Sequence, residues 1–306
     1  MRNFSAERTS MDRQHLIGHL ALIFTVAVWG MTFVSTKILL VELTPVEILF
    51  YRFVLGAVAL TLAYPHLKHG GTWRDEGLLA LAGLTGITLY YLFENIALDY
   101  STASNVSVII VTTPLFTGIL ARIILKETLR PAFLWGFCLA MAGIILIEYG
   151  NLTAEIHPLG DILALLASFI WGVYSVLIRQ VSASGIPITA ITQRVFYYGI
   201  LFMVPALFFF EAPFDLALLE NVTIAGHLIF LGLGASALCF ATWNFGVQRL
   251  GAVTSGIYIY WIPIISIIMA AIILGESLSF TAIIGMALTM IGVILSQSSI
   301  GTKRHS

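Results

Sequence analysis

Residues 16–40 form one long apolar run containing a single Lys and no Arg, Asp or Glu. No other feature constrains the fold as strongly. A helix needs about 20 mostly apolar residues to cross bilayer hydrocarbon. Nine more such runs follow, at 44–65, 77–98, 101–124, 131–149, 158–182, 187–210, 222–248, 252–274 and 279–298. They are continuous, unlike the ~10-residue alternating segments of a membrane barrel. The 306 residues are only 10% charged and 59% hydrophobic, where a soluble domain carries about 25% charged residues. The expected fold is all-α and integral to the membrane, with ten transmembrane helices. The loops leave no room for a soluble domain.

Arg2, Arg8 and Arg13 ahead of the first run imitate a secretory leader. The run is longer than an h-region of about 7–15 residues, and no small-residue cleavage pattern follows it. It reads as a first span. With ten spans, the tails 1–15 and 299–306 share one side of the membrane. That side collects Arg2, Arg8, Arg13, Lys68, Arg74, Arg122, Lys126, Arg130, Arg179, Arg249, Lys303 and Arg304. The other has Lys37 alone, but carries Glu42, Asp99, Glu148, Glu155, Glu211, Asp215 and Glu220. Cations stay inside, so both termini are expected in the cytoplasm, with the chain in a bacterial-type inner (plasma) membrane. Asn151-Leu-Thr and Asn221-Val-Thr match an N-glycosylation pattern, but their loops lie close to the bilayer. Cys138 and Cys239 sit in apolar runs without a partner at ligand spacing, so neither a disulfide framework nor a metal site is expected.

The chain also resembles itself. Under a shift of 142 residues, Gly18 meets Gly160, Trp29-Gly30 meets Trp171-Gly172, Lys37 meets Arg179, Pro45 meets Pro187 and Arg52 meets Arg194. Beyond the second run the shift is 149. Gly83 then meets Gly232, Asn95 meets Asn244, Pro114 meets Pro263, Glu127 meets Glu276, Gly136 meets Gly285 and Gly143 meets Gly292. Extra residues near 208–220 account for the change. Unrelated apolar segments share Leu and Ile, not Trp-Gly, Arg, Asn, Pro and Glu in register. Two five-helix repeats, 16–150 and 151–298, are expected. Five is odd, so the second enters the membrane inverted, an architecture suited to alternating access around a central cavity.

Three elements occur in each half. Trp29-Gly-Met-Thr-Phe33 is echoed by Trp171-Gly-Val-Tyr174. Ala97-Leu-Asp-Tyr-Ser-Thr-Ala-Ser104 is echoed by Gly246-Val-Gln-Arg-Leu-Gly-Ala-Val253, each followed by a proline-bearing span. Lys126-Glu127-Thr-Leu129 is echoed by Gly275-Glu276-Ser-Leu278. Over residues 16–298 this pattern resembles the EamA-type members of the drug/metabolite transporter superfamily. Lys126 departs from the Gly usual before this Glu. The resemblance implies a gradient-coupled exporter or exchanger of amino acids, related metabolites or drugs.

Ionisable residues inside spans are costly and call for a function or a partner. Glu94 shares a helix face with Tyr91 and Asn95, and Tyr90 lies nearby. Its repeat mate is Trp243, so the repeat does not require an acid there. It could bind an amino group or carry a proton, or sit wet near the interface. Arg52 and Arg194 are mates, which suits scaffolding or gating better than selectivity. Lys37 and Arg179 lie near span ends, where they could snorkel or gate. Glu47 could approach Arg52, although the spacing is poor. Trp29 and Trp171 sit mid-span, either packing at a helix crossing or flanking the cavity. Trp243, Asn244, Tyr258, Tyr260 and Trp261 would supply an aromatic wall to the same cavity or simply fill it. Asn95 and Asn244 each need a hydrogen-bond partner, another helix or a solute. Pro114 and Pro263 should bend their spans. Glu127 and Glu276 suit capping the next helix or holding a loop.

No HExxH, nucleophile elbow or phosphate-binding Gly-rich loop occurs. The histidines lie mostly at ends and loops, which disfavours an intramembrane enzyme. No cofactor, metal or nucleic acid is implied. The partners expected are a small solute and the lipid bilayer, with proton or solute coupling supplying energy. A lipid flippase is the alternative, and oligomeric state stays open.

Overall fold

The computed structural model describes residues 2–65, 71–126, 131–151, 158–250 and 258–298. Among these residues the chain is helical, with no strand. The helices are α1 (Arg2–Leu39), α2 (Pro45–Ala63), α3 (Trp73–Tyr100), α4 (Ala103–Ile124) and α5 (Pro131–Asn151). They continue as α6 (Pro158–Ser182), α7 (Ile188–Phe209), α8 (222–250), α9 (Trp261–Leu274) and α10 (Phe280–Ser298). Helices α1–α4 and α6–α8 hold seven stretches long and apolar enough to cross a membrane. Shorter apolar stretches, Pro131–Ile147, Trp261–Leu274 and Phe280–Ser296, fall at the other three expected runs. A turn at Ile259–Tyr260 shortens α9. Residues 252–257, expected to begin that span, and Glu127 lie outside the described residues.

Helix starts follow from local chemistry. Thr44 and Glu47 form a capping box at α2, with Pro45 in the first turn. Glu47 also accepts the Phe214 N–H at 2.9 Å, so its carboxylate serves the helix start and the α7–α8 connection. The contact considered between Glu47 and Arg52 is not formed. Thr72 and Asp75 cap α3 in the same way, which starts that helix four residues before the apolar run at 77. A capping box satisfies two orphan amides at once.

Two helices change pitch at matched places. A π-helical stretch covers Leu84–Leu89 in α3 and another covers Phe230–Leu238 in α8, and a shift of 149 superimposes their ends at 89 and 238. Helix α4 breaks at Val111–Thr112, just before Pro114, and the Ile259–Tyr260 turn lies just before Pro263. The expected bends are thus breaks in the helix. Proline cannot donate to the fourth residue back. Ser168 of α6 instead donates to the Ile109 and Ile110 carbonyls at 3.1 and 3.3 Å.

Packing is reciprocal between the halves. α1 lies on α8 and α9, while α6 lies on α3 and α4; α2 meets the π stretch of α8, and α7 meets that of α3. α5 and α10 run against each other at backbone distance. A Cβ on Gly136 would come 2.5 Å from the Gly292 carbonyl, and one on Gly285 would come 2.6 Å from that of Gly143. Between these crossings Thr289 Oγ1 donates to the Ala140 carbonyl at 3.4 Å. Small residues permit such approach where hydrocarbon gives helices little hydrophobic reason to associate.

Candidate functional site

The midpoints of α1, α2, α4 and α6 converge with the late part of α3 and the start of α9 around a cavity of about 120 Å³. One water needs roughly 10–15 Å³, so a small organic solute fits. Trp29, Thr32 and Phe33 of α1, Tyr90, Tyr91 and Glu94 of α3, Arg52 and Trp171 line it. The helix breaks contribute Ile110, Val111, Thr113 and Pro114 on one side and Ile259 and Ile262 on the other.

The walls are built from stacked rings. The Trp171 ring lies 4.5 Å from Tyr90, 4.8 Å from Tyr174 and 6.4 Å from Tyr91. Trp29 lies 5.3 Å from Trp243 and 6.1 Å from Phe240. Phe240 is the repeat mate of Tyr91, so the two tryptophans keep matching neighbours. Trp29 Nε1 also donates to the Ala235 carbonyl at 3.0 Å. Ala235 lies within the π stretch of α8, where the wider turn disrupts the regular ladder that normally occupies a carbonyl.

Two buried charges face this cavity. Arg52 and Glu94 are each 2% exposed. Arg52 Nε donates to Ser236 Oγ at 2.9 Å, and its Cζ lies 4.3 Å from the Tyr91 ring centre, a cation–π contact. Glu94 lines the same cavity as Tyr90 and Arg52. Among the described residues, however, no cation lies within 4.0 Å of Glu94.

The EamA-like transporter family model matches this chain twice, over residues 16–149 and 158–297. The chain belongs to the EamA-like transporter family. An uncharacterized transporter of Archaeoglobus fulgidus is 31% identical over 297 residues, covering 94% of this chain and 98% of that protein. A probable terminal-alkyne amino-acid exporter of Streptantibioticus cattleyicolor is 27% identical, covering 94% and 95%. A solved crystal structure with 20% identity covers 96% of this chain and 99% of its own, at a TM-score of 0.64, and shares the fold. The molecule is a multi-pass membrane transporter and not an enzyme.

Five of the residues expected at the transporter's cavity line it: Trp29, Tyr90, Tyr91, Glu94 and Trp171. Four do not. Asn95 donates from Nδ2 to the Pro45 carbonyl at 3.0 Å and ties α3 to the start of α2. Trp243 stands behind Trp29. Tyr258 shares a 2.5 Å hydrogen bond with His19 Nδ1, and Trp261 is 55% exposed on the outer surface. The Asn244 side chain lies outside the described residues. Arg52, expected as a scaffold or gating charge, lines the cavity. Its mate Arg194 instead pairs with Glu76 at 2.5 Å, and Tyr198 donates to the same carboxylate at 2.8 Å. Arg179 lies with Arg74 and Asp75 on a separate polar pocket at the other end of α6. Among the described residues no group of His, Cys, Asp and Glu could hold a metal ion.

The α3–α4 corner is pinned by both halves of the transporter. Lys37 donates to the carbonyls of Leu98 and, at 2.9 Å, of Ser101. Glu276, beyond α9, accepts the Ala103 and Ser104 amides at 2.8 and 3.1 Å and the Ser104 hydroxyl at 2.6 Å. Asp161 of α6 accepts the Ser101 hydroxyl at 2.6 Å. A cation thus meets a helix C-terminus and an anion a helix N-terminus, the favoured signs at both. Glu276 caps α4 across the molecule and not the helix that comes after it in the chain. Lys37 clamps backbone and does not merely snorkel.

Proposed function

We propose that this EamA-like transporter has ten spans in two inverted five-helix repeats, 16–150 and 151–298. In this proposal it exports or exchanges amino acids or related small metabolites by alternating access. The observation that carries the proposal is the cavity itself. It is buried at mid-span and takes mate pairs from both halves, Trp29 with Trp171, Ile110 with Ile259, and Thr113 with Ile262. The crossed glycine contacts support the inversion: Gly136 meets Gly292, the mate of Gly143, and Gly143 meets Gly285, the mate of Gly136. A relative named as a probable amino-acid exporter supports the solute class.

In this scheme both termini are cytoplasmic, in the inner membrane, and the α3–α4 corner lies at the opposite face. Lys37 and Glu276 hold that outer mouth closed. Arg179, the mate of Lys37, does the same at the cytoplasmic mouth in the other state. A proton or counter-solute gradient drives the exchange, since the sequence lacks a phosphate-binding loop.

Counterflow in proteoliposomes tests this, with a panel of amino acids, amines and nucleobases. Accelerated exchange of at least one solute is expected. No exchange of any, together with movement of labelled lipid between leaflets, would replace the proposal with a flippase.

A further inference from the structure

We propose that Arg52 and Glu94 make the cavity selective for a zwitterion, with Arg52 holding the carboxylate and Glu94 the ammonium group. The inference rests on the transporter proposal and assigns the two ends of its solute.

Both charges are buried at 2% exposure and line the same cavity, yet they form no ion pair within 4.0 Å. A buried charge without a close counter-charge is unfavourable. An added solute that carries both signs answers both charges together. An amine would leave Arg52 uncompensated, and a carboxylic acid would leave Glu94 uncompensated.

The repeat mate supplies an internal control. At the equivalent position of the second half, Arg194 has its own acid, Glu76, at 2.5 Å. An arginine at this depth is therefore readily satisfied by the protein when the role is structural. Among the described residues, Arg52 has a hydroxyl on Nε and the ring faces of Tyr91 and Phe53. These contacts fix the guanidinium and leave its terminal nitrogens for a planar two-oxygen ligand. Glu94 is set apart in the same sense, since its mate is Trp243. The charged groups of the cavity thus both come from the first half. The remaining wall is aromatic and aliphatic, from Trp29, Trp171 and Ile262, and suits an apolar side chain.

The test is a ladder of analogues in counterflow: leucine and phenylalanine, their decarboxylated amines (isopentylamine, phenethylamine) and their deaminated acids (4-methylpentanoate, 3-phenylpropionate). Exchange of at least one zwitterion is expected, with its amine and acid more than tenfold weaker. Glu94→Gln should narrow the gap between zwitterion and acid, and Arg52→Gln the gap between zwitterion and amine. Arg52→Lys keeps the charge and should retain rejection of the amine, and monodispersity in detergent checks folding of each variant. The wild-type ladder needs no variant. Amine or acid exchanged as well as the zwitterion, exchange confined to solutes outside the ladder, or equal loss for all three classes in both Gln variants would overturn the zwitterion site and leave a transporter. No exchange of any solute in the ladder or in the wider panel would overturn both.

Discussion

Replacing Glu276 by Gln should open the outer mouth of the transporter. The carboxylate accepts three hydrogen bonds, two of them from amides in the first turn of α4. A hydrogen bond to a charged group contributes about 1.5–3 kcal/mol, and a carboxylate at a helix N-terminus adds about 0.3–1 kcal/mol. Glutamine keeps one acceptor oxygen but turns an NH₂ toward the other donors. At least one charge-assisted bond and the dipole contribution are lost. Glu276 is half-buried, so solvent recovers part of this. The net cost to the closed corner is about 2 kcal/mol, near thirtyfold in the closed-to-open equilibrium. The assay places one cysteine at Thr32, on the cavity wall, in a chain with Cys138 and Cys239 replaced. A membrane-impermeant maleimide is then added to the outer face of right-side-out vesicles. Labelling should accelerate roughly tenfold to thirtyfold in Glu276→Gln and slow for reagent added from inside. Unchanged labelling from both faces, in folded protein, would refute the latch.

Other parts of the structure predict separate outcomes. Gly285→Ala places a Cβ 2.6 Å from the Gly143 carbonyl and 2.7 Å from the Ile147 nitrogen, and should cost about 1–3 kcal/mol, seen as a lower midpoint of thermal unfolding in detergent. Glu76→Gln weakens the Arg194 pair and the Tyr198 bond; it should lower thermal stability while leaving the solute preference unchanged. Glu94→Gln should do the reverse, because neutralising a buried acid with no cation within 4.0 Å among the described residues removes an unfavourable charge. Its unfolding midpoint should hold or rise, and the pH dependence of transport should flatten if Glu94 carries the coupling proton. Unaltered transport and pH profile in that variant would remove Glu94 from the site.

Much of the fold is legible in the sequence because a repeat preserves chemistry that hydropathy ignores. Trp29 and Trp171, Pro114 and Pro263, and the paired glycines of α5 and α10 all hold positions the register gives them. Most of the misplaced cavity residues lie where helical phase fails. Counting 100° per residue carries Trp243 onto a cavity face only if α8 is regular, but its π stretch ends at Leu238 and rotates the residues beyond it. The Ile259–Tyr260 turn resets α9, so Trp261 faces outward. No periodicity encodes either break, although Pro263 hints at the second. Arg52 reads as scaffold in the sequence for a different reason. Symmetry of sequence suggests symmetry of role, and the residue that separates the two arginines, Glu76, sits at the far end of another helix.

That separation bears on how such a transporter can work. In the proposed scheme, two inverted halves make the inward and outward states near-equivalents, which keeps their energies close and the switch between them easily biased. A strictly two-fold cavity would also present the same groups from both sides and could not distinguish the ends of a solute. Here the frame is paired where motion needs it, in the glycine crossing, the broken helices and the tryptophan walls. In the proposed zwitterion site it is unpaired where recognition needs it, at Arg52 and Glu94. The same reasoning explains why Arg194 is tied to Glu76. A second guanidinium turned to the cavity from the mate position would restore the symmetry of charge and let an anion bind in either orientation. Locking it away leaves one cation and one acid facing the solute, and one orientation that satisfies both.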